Sequence, residues 1–351
     1  MKYYSKVDGL RFIAIFFVLI EHFAIVIGRH ISAGYYGVDL FFVISGFLIT
    51  SILVKPNEKS FAVNYKNFIG RRTLRIFPVY YLTILILWII GLPAVRENLI
   101  YLVTYSFNYA SVRYNISADP VTHFWSLCVE EQFYLFWPFV VLTLKNKPRY
   151  LMMVIFLMIM IGYTQTLFNI FPAITIYNYW GLLTRMASLG AGALGAVLLS
   201  ENLVPDKIFK SRSFEYFMLL LLAATLVLQY SFGAPILGLC SLYLVLKAAN
   251  FEFYFKPLDR FLENKKIVYI GTLAYGIYIF HLPIRYYFTL YVFNPVWNNI
   301  NFDMLGKLKI LQTNSWIIKF PILSLLSFLL AAASYKFIEG PVLKLKNRFF
   351  R

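Results

Sequence analysis

The chain is short of almost everything that keeps a protein in water. Of its 351 residues only 14% are charged and 60% are hydrophobic, whereas soluble domains carry about 25% charged and about 45–50% apolar residues. That balance excludes a water-soluble globule of this size. Cysteine is nearly absent. Cys128 and Cys240 are the only two; they lie far apart, in or beside apolar runs, and so supply neither a disulfide framework nor a Cys-ligated metal site. Acidic residues are scarce too, 16 against 33 Lys and Arg, for a net charge of +17. No basic helix or RNA-binding signature accompanies that charge, so nucleic acid is not an expected partner. A G-x-S-x-G elbow, a P-loop, a dinucleotide fingerprint and an H-E-x-x-H zinc motif are all missing. No linker, repeat or low-complexity segment divides the chain, which reads as a single transmembrane domain over 1–351 with no appended soluble domain.

What the sequence has in abundance is apolar runs of membrane-spanning length. They fall at 9–28, 36–54, 77–95, 123–144, 149–170, 180–199, 213–231, 234–250, 267–290 and 316–337. The expected fold class is therefore all-α, a polytopic membrane protein with about ten transmembrane helices. The stretch from Glu97 to Tyr109 is apolar but short and reads as interfacial or re-entrant. Lys2 and Lys6 precede the first run as in a signal peptide. That run contains Arg11, Glu21 and His22 and no A-x-A site follows, so it reads as an uncleaved first helix. Alternate loops carry 22 and 5 basic residues: Lys55, Lys59, Arg71, Lys145, Lys207, Lys256 and Lys344 belong to the rich set, Arg29, Arg96, Arg113, Lys307 and Lys309 to the poor one. The positive-inside rule makes the rich set cytoplasmic, with both termini cytoplasmic. An even helix count requires the same.

The polar residues inside these runs carry the chemistry. Arg11 and His22 are eleven residues apart, which on a helix is within about 20° of one face and a rise of about 16 Å. An ionisable group that deep usually faces a functional cavity; the plainer alternative is a packing histidine. Asp39, at the start of the second run, either orients His22, bonds an acceptor hydroxyl, or simply favours a helix N-terminus. Ser45 and Gly46 allow another helix to approach closely. Arg71, Arg72 and Arg75 precede the third run. Arginine forks suit phosphate oxygens, but such a cluster also serves topology and lipid contact. In His123-Phe124-Trp125-Ser126-Leu127-Cys128-Val129-Glu130-Glu131-Gln132, His123 and Glu130 are seven residues apart and share a helical face. They are placed for acid–base work or for a buried polar network. Arg185 lies near the outer end of its run, and Tyr275, Tyr278 and His281 share another. The spacings of His123, Glu130, Glu131 and His281 do not describe a zinc site, and no metal is expected.

Taken in order, these residues resemble the acyltransferase-3 family of integral membrane proteins. The resemblance rests on Arg11 to His22, Gly37–Ser45–Gly46, Arg71-Arg72-x-x-Arg75-x-x-Pro78, His123-x-Trp125-Ser126-x-x-x-Glu130-Glu131-Gln132, Tyr275 to His281-x-Pro283, and Ile338-Glu339-x-Pro341. It spans nearly the whole chain. Cys128 stands where the family often has serine. Some members carry an extra extracytoplasmic hydrolase-like domain, for which the chain leaves no room. The resemblance implies a membrane-bound O-acyltransferase, specifically an O-acetyltransferase moving groups other than amino-acyl groups. It would use cytoplasmic acetyl-CoA, or another acyl-CoA, as donor substrate and the hydroxyl of a cell-surface or lipid-linked polysaccharide as acceptor. It implies no permanently bound cofactor, the bilayer, acyl-CoA and a glycan as partners, and a multi-pass location in the cell inner membrane. On that footing His22 is the expected general base or a transient acyl carrier, with Glu130 and His123 beside it in the catalytic set. Arg11, Arg71, Arg72 and Arg75 are expected to bind the donor. Asp39, Glu131, Arg185, Tyr275 and His281 are expected to bind the acceptor or support the site. The rival reading is a non-enzymatic carrier or flippase for glycans or lipids, because buried charges in a helical bundle fit a transporter as well.

Overall fold

The computed structural model describes residues 3–113, 119–168, 180–225, 230–300 and 310–350. Lys2, Lys307, Lys309 and Arg351 of the charge count lie outside them, as does the side chain of Arg113. Among the described residues there is no β-strand. Ten long helices stand among the described residues: α1 (Ser5–Phe23), α2 (Ala33–Leu53), α3 (Phe61–Ile89), α4 (Phe124–Leu144), α5 (Pro148–Phe168), α6 (Leu182–Ser200), α7 (Arg212–Thr225), α8 (Tyr230–Asn250), α9 (Ala274–Phe288) and α10 (Trp316–Ser334).

Six of these, α2 to α6 and α10, the last followed through to Lys346, are long and apolar enough to cross a membrane. A seventh candidate is a broken span in which Lys265–Thr272 meets Ala274–Trp297 at 66°. The chain is a multi-pass membrane protein. The expected ten spans are thus met for six or seven. Of the other three, α1 carries Lys6, Asp8, Arg11 and Glu21; α7 and α8 adjoin residues outside the described ones and are counted over Arg212–Thr225 and Ala234–Asn250 alone.

Two departures from the sequence reading matter for the site. First, α3 starts at Phe61, well before the apolar run at 77, with the Ser60 hydroxyl capping the Val63 N–H at 3.4 Å. The arginine cluster is therefore on a helix and not in a loop, so each guanidinium has a fixed direction. Second, the first helix does not run on to 28. It stops at Phe23, where Ala24 leaves helical geometry at φ −113° and ψ 56°. A short helix, Ile25–Ile31, and Ser32 in the left-handed region then turn the chain into α2.

α2 lies between α1 and α6, α6 packs also on α5, α4 on α3, and α9 on α10. The α2–α6 contact is made by glycines. A side chain at Gly46 would collide with the Leu189 carbonyl, and one at Gly192 with the Val43 carbonyl. Small residues at a helix crossing let backbones approach closely, a packing device suited to lipid. This is the approach expected at Gly46.

Candidate functional site

Two cavities lie one beyond the other along α1. The inner one, of about 100 Å³, is lined by Arg11, Arg72, Arg75, Ser45, Glu130, Tyr134, Tyr275 and Tyr278 among others. The outer one, of about 490 Å³, is lined by Glu21, His22, Arg29, Tyr35, His123, Trp125, Trp180 and Tyr278 among others. Val38 and Tyr278 border both. The helical spacing of Arg11 and His22 therefore does what its periodicity implies: one face of α1 supplies a cation to one cavity and an imidazole to the other.

In the inner cavity Arg72 and Arg75 are three residues apart and share a face of α3. Neither guanidinium has an ion-pair or hydrogen-bond partner among the described residues, although Arg72 stacks over the rings of Tyr134 and Phe68 at 5.3 and 5.7 Å. Arg11 is paired with Asp8 at 2.5 Å. Arg71 is different. It points about 100° away from Arg72, and its Nε and Nη2 both donate to the Phe350 carbonyl, at 3.0 and 2.5 Å. Of the three expected arginines, Arg72 and Arg75 line this cavity, while Arg71 ties the C-terminal helix Gly340–Phe349 to α3. Opposite the arginines, Glu130 Oε2 accepts from the Tyr134 hydroxyl at 3.0 Å, and Ser45 meets that hydroxyl at 2.5 Å. The Tyr275 hydroxyl donates to the Ile76 carbonyl at 2.6 Å and so ties α9 to α3.

The outer cavity is backed by three imidazoles drawn from three elements. The His22 and His281 rings are 4.8 Å apart, and the His123 and His281 rings 4.7 Å. Their backbone partners assign their tautomers, since a carbonyl requires an N–H. His22 Nδ1 faces the Val18 carbonyl at 2.9 Å, His281 Nδ1 the Tyr278 carbonyl at 2.6 Å, and His123 Nε2 the Ile279 carbonyl at 3.2 Å. Those three nitrogens carry protons. His281 Nε2, 3.1 Å from His22 Nδ1, then accepts a share of the His22 N–H. The acceptor nitrogen of His22 is Nε2, and His22 lines the cavity. His281 does not line it and acts from behind. Among the described residues no group of three or more His, Cys, Asp and Glu side chains is arranged to hold a metal ion.

Several expected partners are not brought together. His123 and Glu130 share a helical face but line different cavities. Asp39 does not reach His22. It accepts from Ser188 of α6 and sits 3.8 Å from Arg185, so it holds α2 to α6. Arg185, almost fully buried, lies 5.5–5.8 Å from the rings of Trp125, Tyr35 and Phe42. Its cation–π contacts meet Tyr35 and Trp125, which stand in the walls of the outer cavity. Glu131 lines neither cavity. Trp125 stacks on Trp180 at 6.0 Å, giving the outer cavity a flat aromatic wall. Sequence reading named no role for Tyr134, Trp180 or Arg285. Tyr134 was findable as the residue four after Glu130, and Arg285 as the residue four after His281; Trp180 lies at the start of its run with no such signal.

The acyltransferase-3 family, described as an acyltransferase domain, matches residues 4–336. Among similar proteins, the peptidoglycan O-acetyltransferase OatA of Listeria monocytogenes is 29% identical over 98% of this chain and 56% of its own length. The O-acetyltransferase OatA of Staphylococcus aureus is 28% identical over 98% of this chain and 58% of its own. The chain thus spans little more than half the length of these relatives. No solved structure matches it. With the motif order, the helical bundle and a family match over nearly all its length, the chain belongs to the acyltransferase-3 family.

Proposed function

We propose that the chain is a membrane O-acetyltransferase. In this reading it moves an acetyl group from cytoplasmic acetyl-CoA to a hydroxyl of a cell-surface glycan of the peptidoglycan class. The observation that carries the reading is the pair of cavities that share Val38 and Tyr278 in their walls, one with two arginines lacking an ion-pair partner among the described residues, the other with an imidazole and an aromatic wall. Arginine forks suit the phosphates of a coenzyme A donor. The outer cavity has room and a flat ring for a sugar. The relatives' names supply acetyl and peptidoglycan for those proteins, and the likeness extends them to this one.

The chemistry follows from the tautomers. The acceptor hydroxyl oxygen attacks the thioester carbonyl carbon while its proton passes to His22 Nε2. The tetrahedral intermediate collapses, the C–S bond breaks, and the proton returns to the departing thiolate. An imidazole suits this task near neutral pH. His281 holds the His22 ring through Nδ1. Glu130, fixed by Tyr134 and Ser45, faces the arginines and positions the donor. For the arginines to meet a cytoplasmic donor, the basic loops and both termini must face the cytoplasm of an inner membrane, with α1, α7 and α8 completing ten spans.

The test is direct. Full-length protein in vesicles is given isotopically labelled acetyl-CoA and peptidoglycan glycan fragments, and the glycan is read by mass spectrometry. Labelled, base-labile acetyl ester on the fragments supports the reading. Its absence, with glycan moved across the vesicle membrane unmodified, would favour a carrier.

A further inference from the structure

The break at Ala24 leaves the last carbonyls of α1 without the N–H donors that a continuing helix would provide. Ala24 N–H takes the Ile20 carbonyl. The His22 carbonyl is taken by Arg285 of α9, whose Nη1 donates to it at 3.2 Å. The same guanidinium grips the Asp119 carboxylate through Nη2 at 2.8 and 3.0 Å. Asp119 opens the segment that runs through Thr122 to His123, and both of those residues line the outer cavity. His281 stands one helical turn before Arg285 on α9. One cation therefore touches, or carries on its own helix, each of the three elements that bear a histidine.

We propose that Arg285 is a positioning residue for the histidine cluster, acting as a strut that caps α1 at His22 and pulls the segment entering His123 against α9. Arginine suits the task because its planar fork serves two acceptors in fixed directions. A positive group at a helix C-terminus is also favoured by the helix dipole. The Asp119–Arg285 pair is half exposed on the Asp119 side, and exposed ion pairs contribute little to stability. Its value lies in where it holds the rings. The inference rests on the acetyl-transfer reading for its kinetic consequence, and on geometry alone for its structural one.

The experiment uses the full chain in nanodiscs, with Arg285→Met, Arg285→Lys and Asp119→Asn. Transfer from acetyl-CoA to glycan fragments is measured beside hydrogen–deuterium exchange of the peptides covering 18–24 and 119–127. Arg285→Met is expected to lower turnover about 100-fold with the donor KM changed by less than about twofold, as a misplaced catalytic group does. Arg285→Lys should recover part of that loss. Asp119→Asn should lose less than Arg285→Met, because the contact with the His22 carbonyl survives. Exchange should quicken in both peptides for Arg285→Met, and only in 119–127 for Asp119→Asn, with α5 unaltered. Unaltered exchange, or unaltered turnover, or a changed donor KM at full turnover, would each overturn the strut. If wild type itself forms no ester, the acetyl-transfer reading fails while the exchange data still decide the strut. If Arg285→Met does not accumulate, Arg285→Lys and Asp119→Asn carry the same test.

Discussion

Replacing Arg72 or Arg75 by lysine keeps a positive charge on the wall of the inner cavity but removes the planar fork. Neither fork has a hydrogen-bond or ion-pair partner among the described residues, so in the proposed reading the loss falls on the ligand. A hydrogen bond to a charged group contributes about 1.5–3 kcal/mol. Losing one such bond to a donor phosphate should weaken coenzyme A binding about 10- to 150-fold for either variant. Arg71→Lys tests the contrast. Its guanidinium makes two hydrogen bonds to the Phe350 carbonyl, of which lysine can keep one. The cost, about 0.5–1.5 kcal/mol, falls on the docking of the C-terminal helix and leaves coenzyme A binding unaltered. Calorimetric titration of purified protein with coenzyme A separates the three variants without any acceptor. Undiminished affinity in Arg72→Lys and Arg75→Lys, with Arg71→Lys weakened, would refute the assignment of the cavity to the donor.

Glu130→Gln should reduce transfer more than Glu131→Gln, because only Glu130 lines the inner cavity; ester formation per unit of membrane protein decides the order, and the reverse would undo the role of Glu130. His22→Ala should cut glycan acetylation about 10²–10⁴-fold, and His22→Gln should do the same, since glutamine keeps a donor and an acceptor but is no base. Near-normal ester with His22→Gln, at normal protein level, would remove proton transfer from His22. Lys247→Met should destabilise the protein by about 3–5 kcal/mol, by stranding Glu215 in a buried pair whose members are 1% and 0% exposed. A thermal-shift assay in detergent should show a large fall in the unfolding temperature, and an unmoved transition would show the pair to be dispensable.

The parts of this site that can be read from the sequence are those carried by helical periodicity. Arg11 and His22 lie on one face because eleven residues nearly close three turns. Glu130 and Glu131 diverge because neighbours on a helix do. Gly46 marks a close crossing because it lacks a side chain. What periodicity cannot supply is the partner across space. Asp39 is claimed by Ser188, 149 residues away, and this decides against His22 although Asp39 is near it in sequence. Arg71 is drawn away from the inner cavity by Phe350, 279 residues away, at the end of a helix whose docking no local pattern announces. His22 and His281 meet across 259 residues. The break at Ala24 involves neither glycine nor proline, so the helix end that exposes the His22 carbonyl has no local signature. α1 departs from an apolar span because Lys6, Asp8, Arg11 and Glu21 lie on it, and of these Arg11 and Glu21 line the cavities.

The charged side chains inside the bundle include pairs that answer one another and arginines without an ion-pair partner among the described residues. Lys247 and Glu215 meet at 3.0 Å. The two Glu215 oxygens also accept the N–H groups of Tyr254 and Phe255 at 2.9 and 2.7 Å, and Lys247 donates to the Phe209 carbonyl at 2.5 Å. Lys6 and Asp259 meet at 2.6 Å, and Asp259 also accepts the Phe253 N–H at 3.0 Å. In each pair the charges and hydrogen-bonding groups answer one another, as a buried pair requires if it is not to destabilise the fold. Such pairs need no ligand. Arg72 and Arg75 are the opposite case. They are held between helices in a chain that crosses the bilayer, where an ionisable group is costly. Their forks are nevertheless left open on a cavity whose own acid, Glu130, is already engaged by Tyr134. Unlike those pairs, Arg72 and Arg75 have no hydrogen-bond or ion-pair partner among the described residues, and this difference is what the proposed donor site draws on.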